Sequence, residues 1–225
     1  MVGWRQIKIR RKILHDFQYV TKKTAAPVKE ELLQLIHEVQ DEVRKKFTFR
    51  YDFIGSSSRN MITQDLNSNI GFDFDVNFEV NDDEQKYTPK DIRLTIKRAI
   101  DKVAPKYGYS PCEDSTRVLT IKKIDHERSK IIHSGDIAMV KSFTNADGVE
   151  DQKYIRFEKK QNQYVWALQP RPFVRLAEKI EWLKKNGLWG ETRDYYIEKK
   201  NNNTDPNKHS RSIFAEAINE MYNKN

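Results

Sequence analysis

One nine-residue stretch, FDFDVNFEV at residues 72–80, alternates between apolar and polar side chains without a break. Successive side chains of a β-strand point to opposite faces, so this stretch predicts a strand with one apolar and one polar face. The apolar face consists of Phe72, Phe74, Val76, Phe78 and Val80. An apolar face this complete anchors the strand in a core, so the polar side chains are held on a rigid element.

The polar face of this predicted strand carries two aspartates, Asp73 and Asp75. They lie about 7 Å apart along the strand, so they can lean toward one point and repel each other when no cation is bound. A divalent cation relieves this repulsion, and Mg²⁺ prefers a few carboxylate oxygens together with water and substrate phosphates. The alternative is an ordinary acidic strand face exposed to solvent, since Asp-x-Asp also occurs by chance.

A glycine-serine turn, Gly55-Ser56-Ser57-Ser58, follows the aromatic-rich segment FTFRYDFI, which predicts a short strand. A glycine in this position lets backbone N–H groups approach phosphate oxygens, and serine hydroxyls add further donors. The turn is therefore a candidate phosphate-binding segment, one loop away from the two aspartates.

A third acid, Asp136, interrupts the apolar run of the segment KIIHSGDIAMV. An ionised carboxylate among apolar side chains is costly unless a cation or hydrogen bonds compensate it. Asp136 is therefore either a third site residue or a structural aspartate satisfied by hydrogen bonds. His133 falls on the other strand face by parity, which favours a core role over a ligand role.

The rest of the pattern predicts an α+β fold, a mixed or antiparallel sheet flanked by helices with a helical C-terminal part. Apolar spacing predicts helices at residues 27–47 and 88–103, the second with Thr88 as N-cap and Pro89 at its first position. Four further strands are predicted at residues 117–125, 129–143, 152–160 and 163–168. Helical stripes follow at Phe173, Leu176, Ile180 and Leu183, and at Phe214, Ala217, Ile218 and Met221, separated by a polar loop at residues 199–210 that we expect to be mobile. We expect a catalytic core at residues 1–168 and a helical extension packed on it at residues 169–225.

Composition limits the class of protein. A chain of 225 residues, 37% of them hydrophobic, can bury one core plus a helical appendage. Its net charge of +8 favours polyanionic partners such as nucleotides or RNA. The single cysteine, Cys112, excludes an internal disulfide and a cysteine-based zinc site. No apolar run approaches the length of a membrane span, so we expect a cytoplasmic protein without a membrane partner.

Taken together, these motifs resemble the nucleotidyltransferases of the DNA polymerase beta-like superfamily. The family pattern is a strand, a Gly-Ser turn that opens a helix, a second strand with Asp-apolar-Asp-apolar, and a third carboxylate on a later strand. The chain matches it in order with Gly55-Ser56, Asp73-Phe74-Asp75-Val76 and Asp136. Sixteen residues separate Ser56 from Asp73, more than the usual pattern has, and ITQDLNSNIG in this gap resembles an inserted loop.

The resemblance implies a Mg²⁺- or Mn²⁺-dependent enzyme that moves an NMP from an NTP to an acceptor hydroxyl and releases pyrophosphate. It implies that Asp73 and Asp75 hold one metal ion and that, together with Asp136, they hold a second that activates the acceptor. It places Asp136 as the general base. Gly55, Ser56 and Ser57 would hold the terminal phosphates, and Arg59 would bind phosphate or acceptor.

The sequence leaves the acceptor open. An RNA, a small molecule, a protein side chain and a second nucleotide would all use the same acids, and a fold cannot choose among them. A non-catalytic basic module that binds RNA or a protein is the alternative from another class. Trp166 and the segment Gln169-Pro170-Arg171-Pro172 are weak candidates for stacking on a base, with packing as the more common role.

Overall fold

The computed structural model of the protein describes residues 15–82, 84–170 and 175–225. Its helices are α1 (Lys22–Val43), α2 (Gly55–Ser58), α3 (Pro89–Val103), α4 (Leu176–Lys185), α5 (Trp189–Asn201) and α6 (Ser210–Lys224), with one 3₁₀ helix at Ala104–Tyr107. Its strands are β1 (Phe17–Tyr19), β2 (Thr48–Ile54), β3 (Thr63–Asp65), β4 (Ile70–Asn81), β5 (Glu113–Asp114), β6 (Leu119–Asp125), β7 (Lys130–Thr144), β8 (Glu150–Glu158) and β9 (Gln163–Leu168).

These residues form two compact units. The sheet unit contains residues 19–64 and 68–170, and the terminal unit contains residues 15–18, 65–67 and 175–225. Every candidate site residue named from the sequence lies in the sheet unit.

The sheet unit is organised around a seven-stranded mixed sheet. Its strands run in the order β2-β4-β7-β6-β5, and β8 and β9 extend it from β7. The central pair, β4 and β7, is parallel, whereas the other pairs are antiparallel. The predicted α+β class with a mixed sheet is confirmed, and this parallel pair brings two strands far apart in sequence side by side.

The alternation of β4 is the feature that orients the sheet. Its five predicted apolar residues are all buried, and the residues between them are exposed or half-buried. The buried face packs in one hydrophobic cluster with the apolar stripes of α1 and α3, which include Leu35 and Ile96. The polar face of β4 is therefore the face turned away from that cluster.

Helix boundaries follow local signals. The Thr88 side chain accepts a hydrogen bond from the backbone N–H of Asp91, and the Asp91 side chain accepts one from the Thr88 N–H, a complete capping box at the start of α3. Helix α1 begins five residues earlier than predicted, at Lys22, because the Thr21 side chain caps it, and Pro27 is accommodated near its N-terminus.

Two other predictions differ from the structure. The supposed inserted loop is partly ordered as β3, and its last residues already belong to β4. Helix α5 lies within the predicted helical extension but continues to Asn201, into the predicted polar loop; it has almost no apolar stripe, and only Thr192, Tyr196 and Lys200 are buried.

The terminal unit is helical after residue 175, as predicted. The second stripe lies buried on α6, and Leu183 is the buried member of the first stripe on α4. Phe173, Arg171 and Pro172 lie outside the described residues. Within this unit the Lys200 ammonium lies 3.9 Å from the Phe17 ring centroid, and Asp65 accepts hydrogen bonds from the Asp16 and Asn67 backbone N–H groups.

Among the helices of the described ranges, none is long and apolar enough to cross a membrane.

Candidate active site

The parallel pairing of β4 with β7 places Asp75 and Asp136 at facing positions. Paired residues of neighbouring strands point to the same face of a sheet about 4.8 Å apart, so the two carboxylates share the polar face. Asp73 lies on that face two residues earlier on β4 and is exposed. The structure therefore brings together the three acids that sequence reasoning selected from separate segments.

Asp75 is the most strongly perturbed of these acids. Burial, followed by the charges of Asp73 and Asp136, raises its pKa to about 7, and the nearby Arg59 guanidinium partly opposes this rise. That the charges of both other acids act on Asp75 marks it as the centre of the cluster. A carboxyl of this kind binds a proton or a cation readily near neutral pH.

The Asp136 carboxylate accepts a hydrogen bond from Thr120, a residue that was not predicted to be part of the site. The Thr120 hydroxyl, on the neighbouring strand β6, donates a 2.5 Å hydrogen bond to Asp136 Oδ1. Burial raises the pKa of Asp136, and the Thr120 hydrogen bond and the Lys122 charge oppose the rise. Thr120 could have been found from its position between Leu119 and Ile121, both buried, which places it on the polar face.

Residue 55 must be a glycine because its backbone lies close to the Asp75 side chain. It has a positive φ of 66°, and a Cβ added to it would lie 2.3 Å from Asp75 Oδ2. Any side chain here would displace the central carboxylate. The glycine of the turn and the second aspartate of β4 are thus parts of one arrangement, brought together because Ile54 and Asp75 are partners in the β2–β4 register.

The serines after Gly55 form the single turn of α2, and their hydroxyls differ in availability. Ser57 donates to the Ile54 carbonyl, and Ser58 donates to the Gly55 carbonyl. Within the described part of the chain, the Ser56 hydroxyl has no hydrogen-bond partner, so it is the hydroxyl of this turn that is free to meet a ligand. Arg59 ends α2, is exposed, and lies close enough to Asp75 for its charge to act on that group.

The three carboxylates are not closed into a cage. Across residues 15–82, 84–170 and 175–225, the structure has no group of three or more His, Cys, Asp or Glu side chains already arranged around a metal position. The donor chemistry nevertheless fits Mg²⁺, which binds through few carboxylate oxygens and keeps the rest of its shell for water and substrate phosphates. Asp73, Asp75 and Asp136 are the residues that would hold such an ion.

Three other residues of the sheet have contacts of their own. His133 is buried on the opposite face, where its Nε2 lies 3.0 Å from the Tyr109 hydroxyl, and burial lowers its pKa to about 4. Glu79 shares the polar face but pairs with Arg50 at 3.0 Å. Trp166 packs against the core beside α3.

No protein-family model matches the sequence, and no curated protein sequence matches it significantly. Solved structures do match. The Vibrio cholerae DncV structure in its 3'-deoxy ATP-bound form superposes with a TM-score of 0.55 at 16% identity, over 90% of this chain and 53% of that one. The STING-associated CdnE c-di-GMP synthase from Capnocytophaga granulosa superposes with a TM-score of 0.56 at 14% identity, over 92% of this chain and 64% of that one.

This chain has the polymerase beta-like nucleotidyltransferase fold. A third match, the Elizabethkingia meningoseptica CdnE cyclic dinucleotide synthase with GTP and Apcpp, has a TM-score of 0.50 at 13% identity over 87% of this chain. The chain covers 69%, 53% and 64% of the lengths of the CdnE synthase, DncV and the c-di-GMP synthase, respectively. At these identities the likeness establishes the fold, which agrees with the resemblance drawn from the sequence.

Proposed function

We propose that the protein is a divalent-metal-dependent nucleotidyltransferase that transfers an NMP from an NTP to an acceptor hydroxyl. The observation that carries this proposal is the Asp75–Asp136 pairing across β4 and β7, with Gly55 packed against Asp75. On this fold, that combination supports a phosphate-binding turn next to an acidic metal site. A bound Mg²⁺ or Mn²⁺ would neutralise charge on the triphosphate and favour the deprotonated acceptor.

Each residue has a separate part in this proposal. Asp73 and Asp75 would hold the ion that accompanies the NTP, and Asp136 would complete the acidic cluster on the acceptor side and take the acceptor proton. Ser56 donates its free hydroxyl to a terminal phosphate, and Arg59 adds positive charge at the same end. Gly55 leaves the space that the Asp75 carboxylate occupies, beside the turn that binds the phosphates.

We propose a nucleotide hydroxyl as the acceptor. The matched solved structures include a di-nucleotide cyclase and dinucleotide synthases, which supports this choice over a protein side chain or an unrelated small molecule. The non-catalytic module considered from the sequence predicts no turnover and metal-independent binding. The two proposals therefore separate in one assay.

The deciding experiment incubates the protein with each NTP alone and in pairs, with Mg²⁺, with Mn²⁺ or with EDTA, and measures pyrophosphate release. We expect release with a divalent ion and none with EDTA, and we expect chromatography to recover a product in which two nucleotides are joined. Strong NTP binding that is equal with and without a divalent ion, with no pyrophosphate, would favour the binding module instead.

A matched pair of glycine substitutions tests the contact between the turn and Asp75. Gly55 and Gly148 both have positive φ, but a Cβ on Gly148 meets nothing within 4 Å. Gly148→Ala should therefore cost about 1 kcal/mol of unfolding free energy from backbone strain, with unchanged transfer. Gly55→Ala bears the same strain and also displaces Asp75, so transfer should fall by about a hundredfold. Urea unfolding and pyrophosphate release measure the two effects, and equal activity in both variants would show that this contact has no part in transfer.

A further inference from the structure

A concave site lies on the face of the sheet opposite to the three acids. It is a cavity of about 410 Å³ in front of the N-terminus of α3, large enough for one small organic molecule. Half of the residues that line it are lysines or aromatic residues, namely Lys86, Lys141, Lys153, Tyr87, Phe143 and Trp166.

The charge of this cavity is positive. The one carboxylate in its lining, Asp82, is occupied as an acceptor for the backbone N–H groups of Lys86 and Tyr87. Lys141 reaches only a backbone carbonyl, that of Asp82, at 3.3 Å, and the Lys153 ammonium lies 4.6 Å from the Phe143 ring centroid. Two of the three lysines therefore have no carboxylate within ion-pair distance among the described residues, and Lys86 pairs with Glu84 at 2.6 Å.

The aromatic side chains give this cavity a preference for flat ligands. Trp166 and Tyr87 are half-buried, so each ring is anchored in the core on one side and leaves part of its surface in the cavity. A fixed aromatic surface next to ammonium groups is suited to a planar ring that carries negative charge, because the ring stacks while the charge meets the lysines.

This cavity is separate from the acidic face. Lys141 and Phe143 have the strand parity of Ile137 and Met139, which are buried on the helix-covered face, whereas Asp136 has the opposite parity. Lys141 and Phe143 also lie five and seven residues beyond Asp136 on β7, about 16 and 23 Å along the strand. A molecule in this cavity cannot contact the three acids.

We propose that this cavity, the Trp166 pocket, binds a small molecule that has a planar ring and carries at least two negative charges. A nucleoside monophosphate and an aromatic polycarboxylate both have this chemistry. The proposal stands without the proposed transferase activity, since it concerns binding alone.

The test is calorimetric titration of the full chain with GMP and, separately, with trimesate, a benzene ring bearing carboxylates, in EDTA. EDTA removes the divalent ions on which binding at the acidic face would depend. We expect binding of at least one probe, weakened by added salt. Lys141→Gln/Lys153→Gln should weaken it at least tenfold, while Lys159→Gln/Lys160→Gln, which removes the same charge from the β8–β9 turn, should leave it unchanged. Binding of GMP alone would identify a nucleotide pocket, and binding of trimesate alone would identify a carboxylate pocket.

Three results would overturn the proposal. The first is that neither probe binds at millimolar concentration. The second is that the two double lysine substitutions weaken binding of the probe equally. The third is that Arg59→Gln weakens binding while Lys141→Gln/Lys153→Gln leaves it intact, which would place the ligand on the acidic face. Thermal melting of each variant confirms that the fold persists, and Trp166→Phe, which keeps an aromatic ring, provides a second variant with an expected smaller loss.

Discussion

Replacing Asp75 with asparagine is expected to abolish nucleotidyl transfer and to make the metal-free protein more stable. The substitution keeps the volume of the side chain but removes the charge that burial, Asp73 and Asp136 all disfavour. We expect transfer to fall by at least about a thousandfold, and the metal-free protein to gain about 1–4 kcal/mol of unfolding free energy above neutral pH. Pyrophosphate release and urea unfolding in EDTA measure the two effects.

Asp136→Asn should change transfer and stability in the same directions as Asp75→Asn. The amide side chain introduced by this change retains an oxygen that accepts the hydrogen bond of Thr120, so the Thr120 hydroxyl is not left unpaired. The change should leave the stability of the metal-free protein unchanged or raise it, remove transfer, and remove the extra stabilisation that Mg²⁺ with NTP gives the parent.

Two further substitutions separate a site role from a packing role. Phe74 is 1% exposed and lies on the opposite face of the same strand, so Phe74→Ala should cost about 3–5 kcal/mol of unfolding free energy. Asp52 is an exposed carboxylate on the polar face, paired with Asn77, so Asp52→Asn should change stability by less than about 0.5 kcal/mol and leave transfer intact. If Asp75→Asn instead lost about 1–3 kcal/mol while transfer persisted, Asp75 would be a structural aspartate.

The fold class could be predicted from the sequence because its local signals agree with each other. The unbroken alternation of residues 72–80 and the Thr88 capping signal each predicted an element that the structure contains. The parallel pairing of β4 with β7 could not be predicted this way, since period-two alternation gives the face of a residue but not its neighbouring strand. Helix α5 shows the same limit, because a helix without an apolar stripe has no periodic signal.

The residues of the candidate site also fall into those that the sequence predicts and those that only the strand pairing reveals. Residue type and strand parity were enough to select Asp73, Asp75 and Asp136, and parity also separated His133 from them. The contact of Gly55 with Asp75 depends on the β2–β4 register, and the Thr120 hydrogen bond depends on the β6–β7 register. Side chains whose role depends on a long-range register are visible only once the strands are paired.

The stability gained by Asp75→Asn is expected to depend on pH, in a direction fixed by the raised pKa of Asp75. In the folded protein this pKa is about 7, whereas an aspartate in the unfolded chain titrates near 4. Between these values the folded state holds a proton that the unfolded state has released. The unfolding free energy of the parent therefore falls as pH rises through this window, by at most about 1.4 kcal/mol per pH unit from this group.

His133 changes the unfolding free energy in the opposite direction, over a pH range that overlaps the range of Asp75. Its pKa is lowered to about 4, below the ordinary value of 6.5, so the unfolded state holds the extra proton between these values and stability rises with pH. A pH profile of the parent alone would therefore show the two contributions partly cancelled. The difference between Asp75→Asn and the parent removes the His133 contribution, since both proteins contain it.

We therefore expect that difference in unfolding free energy, measured in EDTA, to be near zero at about pH 4 and to grow until about pH 7. Above that pH it should level off at no more than about 4 kcal/mol. The corresponding difference for Asp52→Asn should stay within about 0.5 kcal/mol, because this side chain is exposed on the polar face. A flat profile for Asp75→Asn would mean that neither burial nor the charges of Asp73 and Asp136 raise the pKa of Asp75, and Asp75 could not then be the centre of the acidic cluster.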